Sequence, residues 1–497
     1  MTEAELKLRL APGDHPALRR SAVLASVRPR RVRLSSTYFD TPDCALAGHG
    51  MALRLRQAGR RWVQGLKSAN VTSGGLHVRE EWEFARRDAG LDLARFAHTP
   101  LARLEDAATL HVRLAPVFRV QVTRTLWTLA PAPGTRIEVA LDAGVVECGG
   151  RSEPISELEI ECLEGGAGAA FDLALRLLDD VRLHPSAVSK AERGYRLFRR
   201  EPAAPAKAQP IRLERHLAPL AAARRVVAAG LAQLQANEEG VLGTDDPEFV
   251  HQARIALRRT RSALRMFRVP VGEEHARAWR DALGEVARAL GAARDWDVFA
   301  TETFPALAKA HGDTALARRL RPRVARHRRT SRMAARDALY SLDFARVALE
   351  LARWLCEPQV EAPVAGALSL EQFAARTLRK RHKRLLRDAT DLAALGIEER
   401  HRVRIDAKRL RYGTDALASL FKSRRVDDYR EALAALQDAL GQANDAATAA
   451  GLVGRIDPPT PFAAFARGWL AARTEGDAAY LGALIARLST ARHFWAK

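Results

Sequence analysis

The 497-residue sequence predicts an α+β protein: a first part folded as an antiparallel barrel or strongly curved sheet, then an all-helical second part. Three observations carry this. Charged and apolar residues alternate through short segments of residues 1–200, the period of a half-buried strand. Beyond residue 211 the apolar spacing changes to three and four, the period of a helix face. Within that second part a segment recurs at an offset of 150 residues, the mark of a duplication. The length is enough for at least two domains, each with its own core.

The opening segment Glu3-Ala4-Glu5-Leu6-Lys7 reads as a strand. Its alternation puts Glu3, Glu5, Lys7 and Arg9 on one face and Ala4, Leu6, Leu8 and Leu10 on the other. Two readings are open: an amphipathic edge with a solvated polar face, or carboxylates that hold a hard metal ion beside an anion gripped by cations. Alternation returns at Met51 to Arg56, which aligns Arg54 with Arg56, and at Trp62 to Lys67. His77 to Phe84 groups Arg79, Glu81 and Glu83; Arg136 to Asp142 alternates; Glu157 to Cys162 groups Glu157, Glu159 and Glu161. Turn signals separate these runs at Asp40-Thr41-Pro42-Asp43, Ser73-Gly74-Gly75 and Pro133-Gly134. Phe171 to Val181 has helical spacing.

A Pro/Ala-rich linker, Glu201 to Pro210, ends this part. Arg212 to His493 reads as almost wholly helical, broken by a Pro- and Gly-containing stretch at Glu357 to Ser369. The expected domains are therefore 1–200 and 212–493, joined by a linker at 201–211, with helical repeats at about 212–356 and 370–493.

The repeat is legible in detail. His251-Gln252-Ala253-Arg254-Ile255-Ala256-Leu257-Arg258 matches His401-Arg402-Val403-Arg404-Ile405-Asp406-Ala407-Lys408, and Asp295 matches Asp445. Helical spacing puts His251, Arg254, Arg258, Arg261 and Arg265 on one face, and His401, Arg404, Lys408 and Arg411 on the corresponding face. Such stripes facing each other form a basic groove suited to phosphate oxygens. Asp295 and Asp445 are expected to cap helices or orient these cations rather than bind metal. Arg294 corresponds to Asn444, so the two copies are not equivalent.

Charge agrees with an anionic partner. The net charge is +21. Residues 1–200 hold 30 Lys+Arg against 24 Asp+Glu, and the remainder 50 against 35. Aromatics are only 6%, too few to stack a run of bases, so a polymer of phosphate without bases fits better than nucleic acid. The four cysteines are scattered without a CxxC pair, which suggests neither a zinc site nor a disulfide framework. The charged opening and the absence of a run of about 18 apolar residues predict a cytoplasmic protein with no membrane partner.

Lysine is scarce, and residues 1–200 contain only Lys7, Lys67 and Lys190. Collecting the charged strand faces gives acids Glu3, Glu5, Glu81, Glu157, Glu159 and Glu161, with cations Lys7, Arg54, Arg56, Lys67, Arg79, Arg124, Lys190 and Arg193. Facing a common lumen, such charges are electrostatically costly alone. A polyphosphate with a divalent ion satisfies both signs.

These residues, in this order, resemble the CYTH superfamily of triphosphate tunnel metalloenzymes over residues 1–200. Tyr38-Phe39-Asp40-Thr41-Pro42-Asp43, Gly48-His49-Gly50-Met51 and Ser189-Lys190-Ala191-Glu192-Arg193-Gly194-Tyr195 strengthen the likeness. Residues 212–493 resemble the CHAD domain, and the pair is similar to the bacterial CYTH–CHAD inorganic triphosphatases. The resemblance implies an eight-stranded antiparallel tunnel that hydrolyses inorganic triphosphate with Mg²⁺ or Mn²⁺. It implies Glu5, Glu157 and Glu159 as metal ligands, with Glu3 and Glu161 as further candidates. Glu3 would orient or deprotonate the attacking water, or hold a second metal. Catalysis is then expected of Glu3, Glu5 and Lys7. Phosphate binding is expected of Lys7, Arg54, Arg56, Lys67, Arg79, Arg124, Lys190 and Arg193. In the helical half it implies binding of long-chain polyphosphate, and association with polyphosphate granules, through His251, Arg254, Arg258, Arg261, His401, Arg404, Lys408 and Arg411. The alternatives are a polyphosphate-binding scaffold without turnover, or thiamine triphosphatase or adenylate cyclase activity in the same tunnel. His77 and His184 are expected to be structural or exposed, since a hard metal prefers oxygen.

Overall fold

The computed structural model describes residues 2–68, 71–104, 107–357, 368–390, 392, 395–421, 424–457, 460–472, 478–491 and 493–495; the side chains at 2, 3, 71–73, 107, 397, 443 and 478 are outside that description. Most of the expected break at Glu357 to Ser369 therefore lies outside the described residues. Contacts divide the chain into two compact units, residues 1–205 with 340–357, and residues 206–339 with 358–497.

The first unit is a closed antiparallel barrel. Its eight strands are β1 (Thr2–Arg9), β2 (Arg30–Asp40), β3 (Ala52–Ala58), β4 (Arg61–Lys67), β5 (Leu76–Arg86), β6 (Ala115–Ala132), β7 (Thr135–Cys148) and β8 (Arg151–Glu164). They pair in the order β1-β8-β7-β6-β2-β3-β4-β5, and β5 returns to β1. Short strands Val71–Ser73 and His184–Pro185 add to β5 and β1. The opening strand is thus no edge: Glu5 pairs with Glu161 of β8 on one side and with His77 of β5 on the other.

Closure follows from what each strand face buries. Leu6 and Leu8, alternate with Glu5 and Lys7, are 0% exposed, as are Leu141, Leu158 and Ile160. Helix α1 (Gly168–Leu177), somewhat earlier than the expected Phe171 to Val181, packs on β1, β7 and β8. Each such buried leucine contributes about 1.5–3 kcal/mol. With apolar faces outward under a helix, the charged faces have only the lumen left.

Asp40, which ends β2, organises the segment after it. Its buried carboxylate accepts from the backbone N–H of Thr41 at 2.7 Å, Leu46 at 2.9 Å and Ala47 at 3.0 Å. It also accepts from the Tyr195 hydroxyl at 2.8 Å. Tyr195 lies on helix α2 (Lys190–Arg199), whose start is fixed by a capping box between Ser189 and Glu192. This cap places Lys190 at the first helical position. A Cβ on Gly194 would lie 2.2 Å from the Phe118 ring of β6, so only glycine lets α2 sit this close.

The second unit is helical. Helices α3 (Pro219–Gly243), α4 (Pro247–Met266), α5 (Glu273–Val298) and α6 (Thr314–Leu339) precede α7 (Leu342–Cys356), α8 (Leu370–Asp388), α9 (Ile397–Leu417) and α10 (Arg424–Ile456). Helix α7 lies in the stretch expected of the first helical repeat, and its contacts group it with the first unit. The duplicated segments are α4 and α9, and they pack on each other. Each buries an apolar stripe: Val250, Ala253, Leu257, Leu264 and Phe267 in one, Val403, Ala407, Leu410 and Leu417 in the other.

Gly194→Ala is expected to destabilise the first unit by about 1–3 kcal/mol, since a ring and a helix must move apart. Urea unfolding against the parent protein measures it.

Candidate active site

The barrel encloses a cavity of about 910 Å³. Lys7, Arg54, Arg56, Lys67, Arg79, Arg124 and Lys190 line it, with Glu5, Glu81, Glu83, Glu138, Asp142, Glu159 and Glu161. Strand alternation and register bring them together. Lys7 pairs with Glu159 across β1 and β8, Arg124 with Asp142 across β6 and β7, and Lys67 with Glu81 across β4 and β5. Helix α2 delivers Lys190 from outside the sheet.

One charge cluster surrounds Glu159. The Lys7 ammonium lies 2.6 Å from Glu159 and 2.9 Å from Glu5. Lys190 donates to Glu159 at 2.8 Å, lies 2.8 Å from Asp142 and contacts Glu157. Arg124 forks onto Asp142 at 2.8 and 2.7 Å and reaches Glu159 at 2.5 Å. Arg79 pairs with Glu5. A second cluster surrounds Glu81 and Glu83: Arg54 meets both at 2.9 Å, Arg56 meets Glu83 at 2.7 Å, and Lys67 meets Glu81 at 3.0 Å.

These pairs set the protonation states. Burial would raise the Glu5 carboxyl, but Lys7, Lys67 and Arg79 outweigh it and hold the group well below the usual carboxylate range. Glu159 is likewise held low, against burial, by Lys190, Lys7 and Arg124. Asp142 is lowered by Lys190 and Arg124 against its burial. Burial would lower Lys7 and Lys190, yet their carboxylate neighbours raise both. The lumen therefore holds ionised groups of both signs at neutral pH.

Among the described residues, Asp142, Glu157 and Glu159 form the one set of three acids with ligand oxygens within 4.8 Å of one another. Glu157 Oε2 is buried without a hydrogen-bond partner. An all-oxygen set with an unsatisfied carboxylate oxygen fits a hard divalent cation. Asp142 was not singled out from the sequence; its signal was its position closing the alternation of Arg136 to Asp142. Glu83 and Glu138 were likewise not assigned to the site. Glu5 and Glu161 line the same cavity. Glu3 pairs in register with Arg79, but its carboxylate lies outside the described side chains. Arg193 is 5% exposed, is not among the lining residues, and has Glu153 at 3.7 Å and Glu157 at 4.0 Å. His77 is buried, its ring 2.9 Å from the Ser186 carbonyl, and is pushed down to about 4, first by burial and then by Lys7.

In the second unit the like charges of α4 and α9 converge. Burial first, then Arg254, Arg404 and Arg411, lowers Arg258. The Arg258 guanidinium lies 5.2 Å from the centre of the Tyr412 ring, and Arg404 lies 3.6 Å from Asp445. Lys408 is pushed down to about 7, by burial and then by Arg404, Arg258 and Arg254, against the pull of Asp445. His251 borders this group, with Arg254, Arg258 and Arg294 as its cationic neighbours. Arg261 turns away and donates to the Arg280 carbonyl at 3.0 Å; His401 is exposed. Asp295 and Asp445 sit inside helices α5 and α10, so neither is a cap. Their place beside Arg254 and Arg404 fits the orienting role instead.

Lys190→Ala removes a partner shared by three acids and is expected to destabilise the first unit by about 3–5 kcal/mol at neutral pH. Glu159 and Asp142 carry depressed values, so their stabilisation is present above the unfolded values of 4.5 and 3.8 and is lost as pH falls below them. The difference between variant and parent in urea unfolding should therefore shrink on acidification.

A family model described as the CYTH domain matches residues 1–195, and one described as the CHAD domain matches residues 225–454. Over 200 residues the chain is 31% identical to the inorganic triphosphatase of Haemophilus influenzae, covering 40% of this chain and 55% of that protein. The chain thus spans about half the length of the curated relative it matches. The crystal structure of the CHAD domain from the plant Ricinus communis is 32% identical, with a TM-score of 0.51, and covers 59% of this chain and 98% of that one. The putative adenylyl cyclase HpAC1 from Hippeastrum is 22% identical with a TM-score of 0.32, covering 41% and 98%. The chain thus carries a CYTH domain, whose residues form the closed eight-stranded barrel with its charged lumen, and a CHAD domain in the helical region that follows.

Proposed function

We propose that the tunnel hydrolyses inorganic tripolyphosphate to phosphate and diphosphate with Mg²⁺ or Mn²⁺, and that the paired basic helices bind long-chain polyphosphate. The observation that carries the first part is one cavity lined by nine cations, with Asp142 and Glu159 in its lining and Glu157 beside them, the three acids having oxygens within 4.8 Å of one another. A naked polyanion would meet repulsion from those acids; a polyanion with a divalent ion meets a partner for each sign. The 31% identity to a protein named inorganic triphosphatase supports the same reaction.

Asp142, Glu157 and Glu159 would hold the ion, with Glu5 alongside. When bound, the ion neutralises charge on phosphoryl oxygens and makes a coordinated water more acidic. The chain's own side chains do the rest. Lys7, Arg124 and Lys190, on the acidic side, and Arg54, Arg56, Lys67 and Arg79 donate hydrogen bonds to the chain of phosphates. They hold the terminal phosphorus for attack by water; the bond to the bridging oxygen breaks and diphosphate leaves. Glu3 takes or orients the proton of that water. Arg193 supports Glu157 from behind the lining rather than gripping phosphate.

For α4 and α9, the supporting observation is that Arg258, Arg404 and Lys408 are each held low, first by burial and then by cationic neighbours that include Arg254. A polyanion along them removes that repulsion, while the few aromatic residues give bases little to stack on. No helix among the described residues is long and apolar enough to cross a membrane. A cytoplasmic protein associated with polyphosphate granules is part of the same proposal.

Phosphate release from tripolyphosphate with Mg²⁺ or Mn²⁺ tests the enzyme. Glu157→Gln and Glu159→Gln should each lower the rate on the order of 100-fold. A parent protein that binds tripolyphosphate without turnover is the scaffold alternative. The second prediction concerns pH. A bound polyanion raises Lys408, so binding takes up a proton wherever the free group, at about 7, is neutral. Polyphosphate affinity should fall between titrations at about pH 6 and about pH 9, and Lys408→Met should flatten the slope, because the arginines stay charged throughout.

A further inference from the structure

Helix α7 lies inside the span matched by the CHAD family model, yet its contacts place it in the barrel unit. It packs on α1 and on the short strand His184–Pro185. Phe344, Ala345, Ala348, Leu349, Leu351 and Ala352 are all buried. Arg346 pairs with Asp179 at 2.9 Å and Arg353 with Asp172 at 2.5 Å, exposed pairs that orient the helix more than they stabilise it. The Tyr340 ring, just before the helix, lies 4.3 Å from the His184 ring. His184 is fully buried and pushed down to about 4 by burial, then by Arg9 and Arg182, so it is a neutral ring at physiological pH.

The segment under Tyr340 reaches the charged lumen directly. Pro185 and His184 pair with Leu8 and Arg9 of β1. The Ser186 N–H donates to the Lys7 carbonyl at 2.8 Å, and the Lys7 N–H donates to the Gly75 carbonyl at 2.9 Å. The Lys7 backbone is therefore held between Ser186 and Gly75. The Ser186 carbonyl lies 2.9 Å from the His77 ring. Three residues after Ser186, Ser189 caps α2 and Lys190 begins it. Lys7 and Lys190 both contact Glu159, and both depend on the segment 184–190 for their position.

We propose that α7 and Tyr340 are a positioning element of the tunnel: by covering His184–Pro185 they set how Lys7 and Lys190 stand against a bound phosphate chain. The chain of contacts runs from the Tyr340 ring to His184, from Ser186 to the Lys7 backbone, and along the same segment to Lys190. None of these residues on α7 touches the lumen. The proposal rests on the phosphate-gripping role of Lys7 and Lys190 given above. A barrel excised at residue 200 would lack this support, although residues 1–195 complete the CYTH match.

The test uses the full chain with Tyr340→Ala, Tyr340→Phe, His184→Ala and the double variant Tyr340→Ala/His184→Ala. Displacing two phosphate-binding ammoniums should raise the KM for tripolyphosphate about tenfold in Tyr340→Ala. Tyr340→Phe keeps the ring and should behave as the parent. The double variant should be no worse than the worse single variant, because both break one contact. Partial unfolding alone lowers the active concentration and leaves KM unchanged, and that result overturns the proposal. If the parent protein does not hydrolyse tripolyphosphate, the enzymatic reading fails and hydrogen exchange decides this one. The amides of residues 184–190 should then exchange about tenfold faster in Tyr340→Ala than in the parent; equal exchange overturns it.

Discussion

The rest of the first unit depends on keeping charges of both signs inside a closed barrel. Leu6 and Leu8 turn one face of β1 outward under α1, so Glu5 and Lys7 have nowhere to go but the lumen. Once there, no buried charge can stand alone, because removing one partner of such a pair costs several kcal/mol. Glu159 is the centre of the solution, shared by Lys7, Arg124 and Lys190. The same demand explains why α2 must be docked so closely. It carries Lys190 into the lumen, and the Ser189 cap, the Tyr195–Asp40 bond and the bare Cα of Gly194 hold it there.

This internal pairing is also what suits the lumen to a charged ligand of two parts. Each cation already faces an acid, so under the proposed function a phosphate chain would take over the cations while a divalent ion would take over the acids. The second unit has the opposite character. Along α4 and α9 the cations outnumber the acids near them, and burial together with the neighbouring cations lowers Arg258, Arg404 and Lys408. Lys408 occupies the position held by Arg258 in the other copy. A lysine there can give up its proton where an arginine cannot, which makes the two copies differ in their response to pH.

Much of this was legible in the sequence because strand and helix periods leave direct traces. The alternation around Arg54, Lys67, Glu81 and Glu159 gave the lumen-facing set, and the offset of 150 residues gave the pairing of α4 with α9. Strands β2 and β6 were not legible as strands. β2 opens with Arg30-Arg31 and carries Ser35-Ser36-Thr37, with little apolar contrast between its faces. Asp142 was passed over because one acid at the end of an alternating run resembles any strand terminus. It becomes part of a cluster only when the register sets it opposite Arg124 and Glu157. The contacts of helix α7 with the barrel unit were not legible for a different reason. It follows α6 and precedes α8 in the sequence, and only the tertiary contacts group it with the barrel.

Under the proposed function the lumen binds a divalent ion on its acids and a phosphate chain on its cations at the same time. Anomalous diffraction from crystals of the full chain soaked with Mn²⁺ and a non-hydrolysable triphosphate tests it most directly. The account predicts a manganese peak within bonding distance of Asp142, Glu157 or Glu159, with phosphate oxygens on Lys7, Arg124 and Lys190. Manganese bound away from these acids, or triphosphate bound only outside the barrel, would contradict it.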